Sequence, residues 1–271
     1  MTAEVPDLDT LIAETLEFLR VRPDGDGWIG DAPSWFGDQL FGGFVIAQAI
    51  VAATRAAPEG RRMHSLHAYF LRPVVAATPI LYRVTTLREG RTFATRRLDA
   101  TQADAPVFAM SCSFTADTEG YEYEMPVARD VPGPDELSVQ GGPGPWVQAL
   151  FGPTPPDADG VRQSTHRHWF RIPGPLPDDP HLHAALVGFA TDWTGTGGRP
   201  LHLEGDIQGM VSLDHAVWFH RPARADAWLF YDVHSLVNAG GRGLLRGTIV
   251  DGERRIVASV AQEMLLRPDE R

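Results

Sequence analysis

The sequence predicts an α+β protein built from two tandem copies of one unit, each a long helix packed against an antiparallel sheet. The first observation is a repeat at a fixed offset of 149 residues, which places Tyr69-Phe70-Leu71-Arg72-Pro73 on Trp218-Phe219-His220-Arg221-Pro222. The second is that each copy combines one apolar segment of helical length with several strand-length segments separated by turn signals. Because stacking repeats have periods of only about 20–50 residues, so long an offset indicates duplication of a whole fold.

The first copy contains two predicted helices followed by strands. Residues 8–20 show helical spacing of apolar positions, and a short strand is expected near Trp28. A second helix is predicted from Phe44 to Ala57, where Pro58 ends it, and its nearly all-round apolar surface predicts burial. Strands are then expected near residues 63–73, 78–88, 91–102 and 106–116.

Proline and glycine are concentrated between the copies, in residues 130–160, which predicts a linker with one short helix around Trp146–Phe151. The second copy begins with a strand from His166 to Ile172 and a helix from about His181 to Trp193. Further strands are expected near residues 208–220, 226–237, 242–251 and 255–267. The predicted division is a first unit over 1–120, a linker over 121–162 and a second unit, carrying the catalytic set, over 163–271.

Each copy is therefore expected to hold one strand, one long apolar helix and an antiparallel meander of four strands. A single buried helix wrapped by a curved antiparallel sheet is the hot-dog arrangement, so the chain is predicted to be a double hot dog. The two copies differ in their polar residues, because Gln262 corresponds to Ser113 and Asp214 to Ser65 at the same offset. This difference is expected if only one copy keeps a working site.

The composition narrows the class of protein. All 24 basic residues are arginine, which suggests a GC-rich bacterial genome, and the net charge of −11 argues against binding nucleic acid. A single cysteine, Cys112, fits a reducing cytoplasm. The N-terminus lacks the basic and apolar regions of a signal peptide, and no stretch approaches the roughly 18–20 apolar residues of a membrane helix. A soluble cytoplasmic protein is therefore expected.

Sequence motifs for nucleotide, metal and serine-hydrolase sites are absent or stand in the wrong context. The segment Gly25 to Gly30 matches G-x-G-x-x-G, but it follows Pro23 instead of a strand and opens no helix. A Walker A loop would need a lysine, and no G-x-S-x-G elbow occurs. Neither a cofactor nor a metal is expected, since structural or surface roles suit the paired histidines better: His64/His67, His166/His168 and His181/His183.

Three polar residues of the second copy lie where the pattern predicts apolar surroundings. Asp192 ends the helix at the edge of an apolar stripe. If it is buried there, its pKa is raised and it can act as a base near neutral pH. The alternative is that Asp192 faces solvent in the last helical turn. Gln262 is a lone amide on an apolar strand face, and a structural amide is as consistent with this pattern as a catalytic one. Ser212 begins a strand on the face assigned to Asp214 and Ala216, where a hydroxyl is usually structural.

Motifs in both copies carry a resemblance that covers nearly the whole chain. They are Phe41-Gly42-Gly43 with Gln48-Ala49, the run from His64 to Pro73, Gly90-Arg91-Thr92-Phe93, the run from Leu213 to Pro222, and the run from Val257 to Glu263. In these motifs the chain resembles the type II acyl-CoA thioesterases, double hot-dog enzymes that hydrolyse acyl-CoA to a free acid and CoA.

The resemblance implies a catalytic site made of an Asp from the second helix, a Ser or Thr from the following strand and a Gln from the last strand. By position these are Asp192, Ser212 and Gln262. They would polarise a water that attacks the thioester carbonyl, with Asp192 as the base and without an acyl-enzyme. In substrate binding, Gly42 and Gly43 would allow close approach to helix N–H groups, and Trp193 would reshape the acyl tunnel.

Two other functions stay open from the sequence. An enoyl-thioester hydratase of the hot-dog fold would use the same CoA substrates, but it needs an Asp/His pair, and Asp192 has no histidine near it in sequence, although His215 could approach in space. A non-catalytic acyl-thioester binding or scaffold protein is the other. Unpaired sheet edges favour association, so we expect a homodimer that acts on acyl-CoA, without nucleic acid or membrane as a partner.

Overall fold

The structure is a computed structural model that describes residues 7–33, 37–127, 131–152, 165–193 and 207–268. Its helices are α1 (Leu8–Phe18), α2 (Gly42–Arg55) and α3 (Pro180–Thr191). Each corresponds to a helix expected from apolar spacing, with ends that differ by a few residues. In these ranges no helix combines the length and the apolar character that crossing a bilayer requires.

The strands follow the predicted order in both copies. The first copy contains β1 (Arg22–Asp24), β2 (Gly27–Gly30), β3 (Arg62–Phe70), β4 (Ile80–Glu89), β5 (Phe93–Gln102) and β6 (Ala105–Thr115). The rest of the chain contains β7 (Val139–Gly141), β8 (Val147–Leu150), β9 (Thr165–Arg171), β10 (Ile207–Ser212), β11 (Asp214–Phe219), β12 (Leu229–Ala239), β13 (Arg242–Val250) and β14 (Ile256–Pro268).

All strands belong to one antiparallel sheet, and its order shows the duplication. The strands lie in the order β1-β2-β4-β5-β6-β3-β11-β14-β13-β12-β9-β8-β7, and β10 also pairs with β14. Outward from the centre, β3-β6-β5-β4-β2 on one side matches β11-β14-β13-β12-β9 on the other. The copies join where β3 pairs with β11, with Leu66 opposite Val217. With one long helix in each copy, this is the α+β double hot dog that the repeat predicts.

Two local expectations are wrong. The four strands after each helix do not form a simple meander, because β3 pairs with β6 and not with β4. The short helix expected around Trp146–Phe151 is instead strand β8, which pairs with β7 and β9. The run from Gly142 to Pro145 makes a turn, closed by a 2.8 Å bond from the Gly142 N–H to the Trp146 carbonyl, so the segment folds as a hairpin.

Helices α2 and α3 pack directly against each other. Every residue from Gly43 to Ile50 is buried, as the apolar sequence of α2 predicts. Glycines let the two helices approach closely. A Cβ added at Gly43 would lie 2.3 Å from the backbone oxygen of Phe189, and one added at Gly188 would lie 2.4 Å from Cδ1 of Ile50. The start of α2 thus lies against the end of α3.

The one buried amide of α2, Gln48, is fully used in holding the first copy together. Its Nε2 donates to the carbonyls of Phe18 and Asp31 at 2.6 and 2.8 Å. Its Oε1 accepts a 2.8 Å hydrogen bond from the Tyr82 hydroxyl. These bonds tie α2 to the end of α1, to the segment after β2 and to β4, so Gln48 is a satisfied structural group.

We expect Gly188→Ala to lower the free energy of unfolding by about 1–3 kcal/mol, because the added methyl overpacks the contact with Ile50. Chemical denaturation should show that Ile50→Val removes most of this cost, since the substitution deletes the clashing Cδ1. If Gly188→Ala costs the same with and without the Ile50→Val substitution, this account of the helix contact is contradicted.

Candidate active site

Asp192 lies at the point where the helices of the two copies meet. It is the C-cap of α3 and is 8% exposed. The start of α2 faces it: the backbone N–H of Gly43 donates to its carboxylate, and a Cβ at Gly42 would lie 2.7 Å from its Oδ2. Because a helix N-terminus favours negative charge, α2 supports the ionised form of Asp192 across the boundary between the copies.

The structure brings the three sequence-predicted polar residues together in one hydrogen-bonded cluster. Gln262 Nε2 donates to Asp192 Oδ1 at 2.6 Å and to Ser212 Oγ at 2.7 Å. Ser212 Oγ in turn donates to Asp192 Oδ1 at 3.2 Å. Gln262 is fully buried on the inner face of β14, where the alternation of the strand predicts it. The cluster therefore consists of a carboxylate held by an amide and a hydroxyl, away from bulk water.

Ser212 reaches this cluster because of an irregularity between β10 and β11. Ser212 pairs with Met264, but the register of β11 with β14 is shifted by one residue, and Leu213 and Asp214 both bond to Glu263. This β-bulge turns Ser212 inward and Asp214 outward, where the Asp214 carboxylate accepts a 2.7 Å bond from the Glu263 N–H. The expectation that Ser212 and Asp214 share one face is therefore wrong, because it assumed an unbroken strand.

Burial dominates the protonation of Asp192. Loss of hydration raises its pKa from 3.8 to about 7, against the opposing effects of hydrogen bonds from Gln262, Ser212 and Gly43. The carboxylate is therefore ionised in a large fraction of molecules at neutral pH and still basic enough to take a proton. The 8% exposure of Asp192 confirms a desolvated carboxylate, so the alternative of a solvent-facing residue in the last helical turn is wrong.

The substrate-binding candidates lie on both sides of Asp192. Gly42 and Gly43 form the start of α2, as described. Trp193, directly after Asp192, packs its ring 5.6 Å from that of His168. A Cβ added at Gly142 would lie 2.2 Å from the Trp193 ring, so the indole also fills the space beside the β7–β8 hairpin. Trp193 thus packs between the end of α3, strand β9 and this hairpin.

Three neighbours of Asp192 lie outside the predicted catalytic set, although the sequence indicated that one of them, His215, could approach Asp192 in space. His215, on the inner face of β11, is fully buried, and its Nδ1 is 4.0 Å from Asp192 Oδ1. Its Nε2 is 2.8 Å from Thr191 Oγ1, and the Tyr231 hydroxyl donates to the Thr191 carbonyl at 2.9 Å. The alternation of β11 indicates that His215 faces inward, but nothing local places its ring beside Asp192.

The first copy has different chemistry at the corresponding positions. The C-cap of α2 is Ala56, where α3 has Asp192, and its carbonyl accepts a 3.0 Å bond from the buried Arg96 guanidinium. Ser113, the counterpart of Gln262, lies 2.8 Å from Nε2 of His64. No carboxylate therefore stands at the end of α2, and the polar cluster around Asp192 has no equivalent at these positions.

The chain is similar to known proteins along most of its length. Residues 32–115 match the family described as the acyl-CoA thioesterase N-terminal domain, and residues 125–266 match its C-terminal domain. Acyl-CoA thioesterase 2 from Haemophilus influenzae is 32% identical over 253 residues, which cover 84% of this chain and 88% of that protein. The crystal structure of an acyl-CoA thioesterase II from Mycobacterium marinum is 34% identical, with a TM-score of 0.79, and covers 94% of this chain and 99% of its own.

A more distant structure supports the fold alone. A hot-dog protein of unknown function from Alicyclobacillus acidocaldarius is 19% identical, with a TM-score of 0.76, and the match covers 94% of this chain and 98% of that one.

Asp192 also makes the stability of the protein depend on pH. Its folded-state pKa of about 7 lies above the ordinary 3.8, so its contribution is fully present below about pH 3.8 and is lost as the pH rises through about 7. Asp192→Asn removes this titration. As the pH rises from about 5 to about 8, the free energy of unfolding of the variant should increase by on the order of 2–3 kcal/mol relative to that of the unchanged protein. Denaturant unfolding at each pH measures this difference.

Asp226→Asn is the matched control for this titration. Hydrogen bonds from Arg224 lower the pKa of Asp226, so its carboxyl is ionised in both folded and unfolded states throughout the same pH window. The difference in the free energy of unfolding between this variant and the unchanged protein should stay constant from about pH 5 to pH 8. A constant difference for Asp192→Asn as well would contradict the raised pKa of Asp192.

Proposed function

Because the chain belongs to the acyl-CoA thioesterase family and is an enzyme that hydrolyses acyl-CoA to a carboxylic acid and CoA, we propose that Asp192, Ser212 and Gln262 are its catalytic residues. The observation that carries the proposal is the buried cluster in which Gln262 Nε2 and Ser212 Oγ both donate to Asp192 Oδ1. A carboxylate with a pKa of about 7 is suited to act as a general base at neutral pH.

Hydrolysis then follows two steps. In the first, a water bound to Asp192 attacks the thioester carbonyl; a C–O bond forms, the carbonyl π electrons move to oxygen, and Asp192 takes the water proton. In the second, the tetrahedral intermediate collapses, the C–S bond breaks, and the leaving thiolate takes the proton from Asp192. General-base assistance of this kind contributes about 10²–10⁴-fold.

Ser212 serves to orient the water in this proposal and not as a nucleophile. Its Oγ already accepts a 2.7 Å hydrogen bond from Gln262, which draws electron density away from the oxygen. Direct attack by water, without an acyl-enzyme, fits this arrangement better. We further propose that the start of α2, at Gly42 and Gly43, lies beside the developing oxyanion, where helix N–H groups stabilise negative charge.

We propose that Trp193 limits the acyl tunnel. Its indole packs on His168 and against Gly142, so it occupies space next to the base that a smaller side chain would leave open. We also propose the division into a first unit (1–120), a connecting segment (121–162) and a catalytic second unit (163–271), supported by the two matching halves of the sheet.

The composition supports a place for this enzyme in the bacterial cytoplasm. All 24 basic residues are arginine, which fits a GC-rich bacterial genome, and the single cysteine, Cys112, is a buried free thiol. A reducing compartment suits such a chain. Hydrolysis of acyl-CoA there belongs to lipid metabolism.

We expect Asp192→Asn and Gln262→Ala each to lower kcat by about 10²-fold or more, because each removes part of the general-base arrangement. Thiol release from a panel of acyl-CoAs, with enoyl-CoA consumption followed in parallel, measures this effect. Consumption of enoyl-CoA without thiol release would favour a hydratase, and near-unchanged turnover by either variant would remove the proposed site.

Ser113→Ala is the matched control. Ser113 occupies the position of Gln262 in the first copy, but it bonds to His64 and lies on β6, which β3 and β11 separate from β14 in the sheet. This variant should keep kcat within a few-fold of the unchanged protein. A loss as large as that of Gln262→Ala would place the site in the first copy.

The last proposal concerns assembly: a homodimer in which each chain holds one complete site. The sheet ends at β1 and β7, and Tyr69 and Trp218 are exposed on its outer face beside the β3–β11 pairing, which favours association. Light scattering at low micromolar concentration should give a mass near twice the 29.7 kDa of the chain. A fully active monomer would contradict this expectation.

A further inference from the structure

His215 stands directly behind the proposed base and has no role in the hydrolysis described above. It lies on the inner face of β11, fully buried, with Nδ1 at 4.0 Å from Asp192 Oδ1. Burial lowers the pKa of His215 to about 3, so its ring is neutral at physiological pH. The approach to Asp192 is therefore not an ion pair, and the position of the single ring proton decides what His215 does.

The hydrogen bonds of Thr191 determine that position. Thr191 Oγ1 lies 2.7 Å from the Gly188 carbonyl and 2.8 Å from His215 Nε2. A carbonyl can only accept, so the hydroxyl proton of Thr191 points to Gly188. Thr191 Oγ1 is then the acceptor for His215, whose Nε2 carries the ring proton. Nδ1 is left with a free lone pair.

The ring nitrogen that carries this lone pair lies close to Asp192. Nδ1 of His215 is buried and has no hydrogen-bond partner among the residues that the structure describes. The nearest carboxylate oxygen is Asp192 Oδ1, at 4.0 Å. An ionised carboxylate offers this lone pair no proton, whereas a protonated carboxyl can donate one after a small shift of either side chain. The geometry therefore favours Asp192 in the protonated state that follows water attack.

We propose that His215 is a positioning residue that accepts a hydrogen bond from protonated Asp192 through Nδ1, with Thr191 holding the ring in the required tautomer. The proposal rests on the assignment of Asp192 as the general base. The proton moves from water to Asp192 as the C–O bond forms, and from Asp192 to the departing sulfur as the C–S bond breaks. His215 neither gains nor loses a proton; it makes Asp192 a stronger base in the first step.

Most of the other groups around this pair donate to Asp192 or are bonded elsewhere. Gln262 of β14, Ser212 of β10 and the Gly43 N–H of α2 all donate to Asp192, and each favours the ionised carboxylate. The Tyr231 hydroxyl of β12 is committed to the Thr191 carbonyl. Two groups outside the pair affect the pKa of His215: Asp214 of β11 raises it and His67 of β3 lowers it. These two side chains bond to each other at 3.1 Å. Among these neighbours, His215 Nδ1 is the atom that can only accept, whereas the Ser212 hydroxyl, 3.2 Å from Asp192 Oδ1, can both donate and accept.

The first test is the pH dependence of thioester hydrolysis by His215→Gln. The glutamine amide reaches the position of Nε2 and can still donate to Thr191, but it places no acceptor at the position of Nδ1. The acid limb of kcat against pH should move down by about one pH unit, and the maximal kcat should fall several-fold, because Asp192 becomes a weaker base.

His183→Gln is the matched control, since His183 is another buried histidine, on α3, whose Nδ1 accepts from the Ala225 N–H. Its acid limb should stay where the unchanged protein has it, even if the melting temperature falls. An unshifted acid limb in His215→Gln would overturn the proposal. A shift of the same size in both variants would do so too, because it would follow from any loss of packing.

Thr191 provides a second and independent test that keeps the histidine. In Thr191→Val the hydroxyl is gone, so the ring is free to carry its proton on Nδ1 and donate to ionised Asp192. The acid limb of kcat should then move to lower pH by at least as much as in His215→Gln. Thr191→Ser, which keeps the hydroxyl, should move the limb less. An acid limb that stays in place in Thr191→Val would overturn the tautomer argument.

These outcomes are separable from a failure of the proposed catalytic site. If Asp192→Asn keeps near-unchanged turnover, the general base is elsewhere and the inference about His215 falls with it. If Asp192→Asn is inactive while His215→Gln keeps the acid limb of the unchanged protein, the site stands and only the role of His215 is refuted.

Discussion

The removal of one carboxylate from water is the constraint on which the site depends. Asp192 is held between the end of α3 and the start of α2, where it is nearly without solvent and its pKa rises to about 7. Burial of a carboxylate is costly unless donors surround it, and here Gln262, Ser212 and the Gly43 N–H supply them. The result is a buried carboxylate that keeps three hydrogen-bond donors and has a raised pKa.

Local irregularities of the fold place these donors. The bulge before β11 turns Ser212 inward, and glycines at positions 43 and 188 bring the two helices within reach of each other. A regular strand would put the Ser212 hydroxyl on the outer face of the sheet, and a side chain at position 43 would push α2 away from Phe189 and Asp192. These departures from ideal geometry thus lie around Asp192, in the cluster of buried polar groups.

Much of the fold and part of the site could be predicted from local patterns. The 149-residue repeat and the apolar spacing indicated both long helices and the positions of most strands along the chain, and alternation along β14 put Gln262 on the inner face. The bulge could not be predicted, because it is defined by pairing of two strands with β14 and not by residues near Ser212. The β7–β8 hairpin was missed because glycine and proline signal a turn without indicating which strands flank it.

The orientation of His215 and the bond from Gly43 to Asp192 depend on contacts between elements far apart in sequence. The His215 ring is positioned by Thr191, one residue before Asp192 on α3, while Gly43 belongs to the other copy. Periodicity within one element carries no information on such pairings. Only the packing of α2 on α3 and the joining of β3 to β11 reveal them.

The hydrogen bond from Gly43 to Asp192 has a consequence for how the two copies can diverge. At the corresponding positions the side chains of the first copy are different, with Ser113 in place of Gln262 and Ala56 in place of Asp192. The backbone at the start of α2, in contrast, contacts the Asp192 carboxylate of the other copy directly. The first copy therefore contributes backbone shape to the cluster and the second contributes its side chains, so the cluster needs both copies.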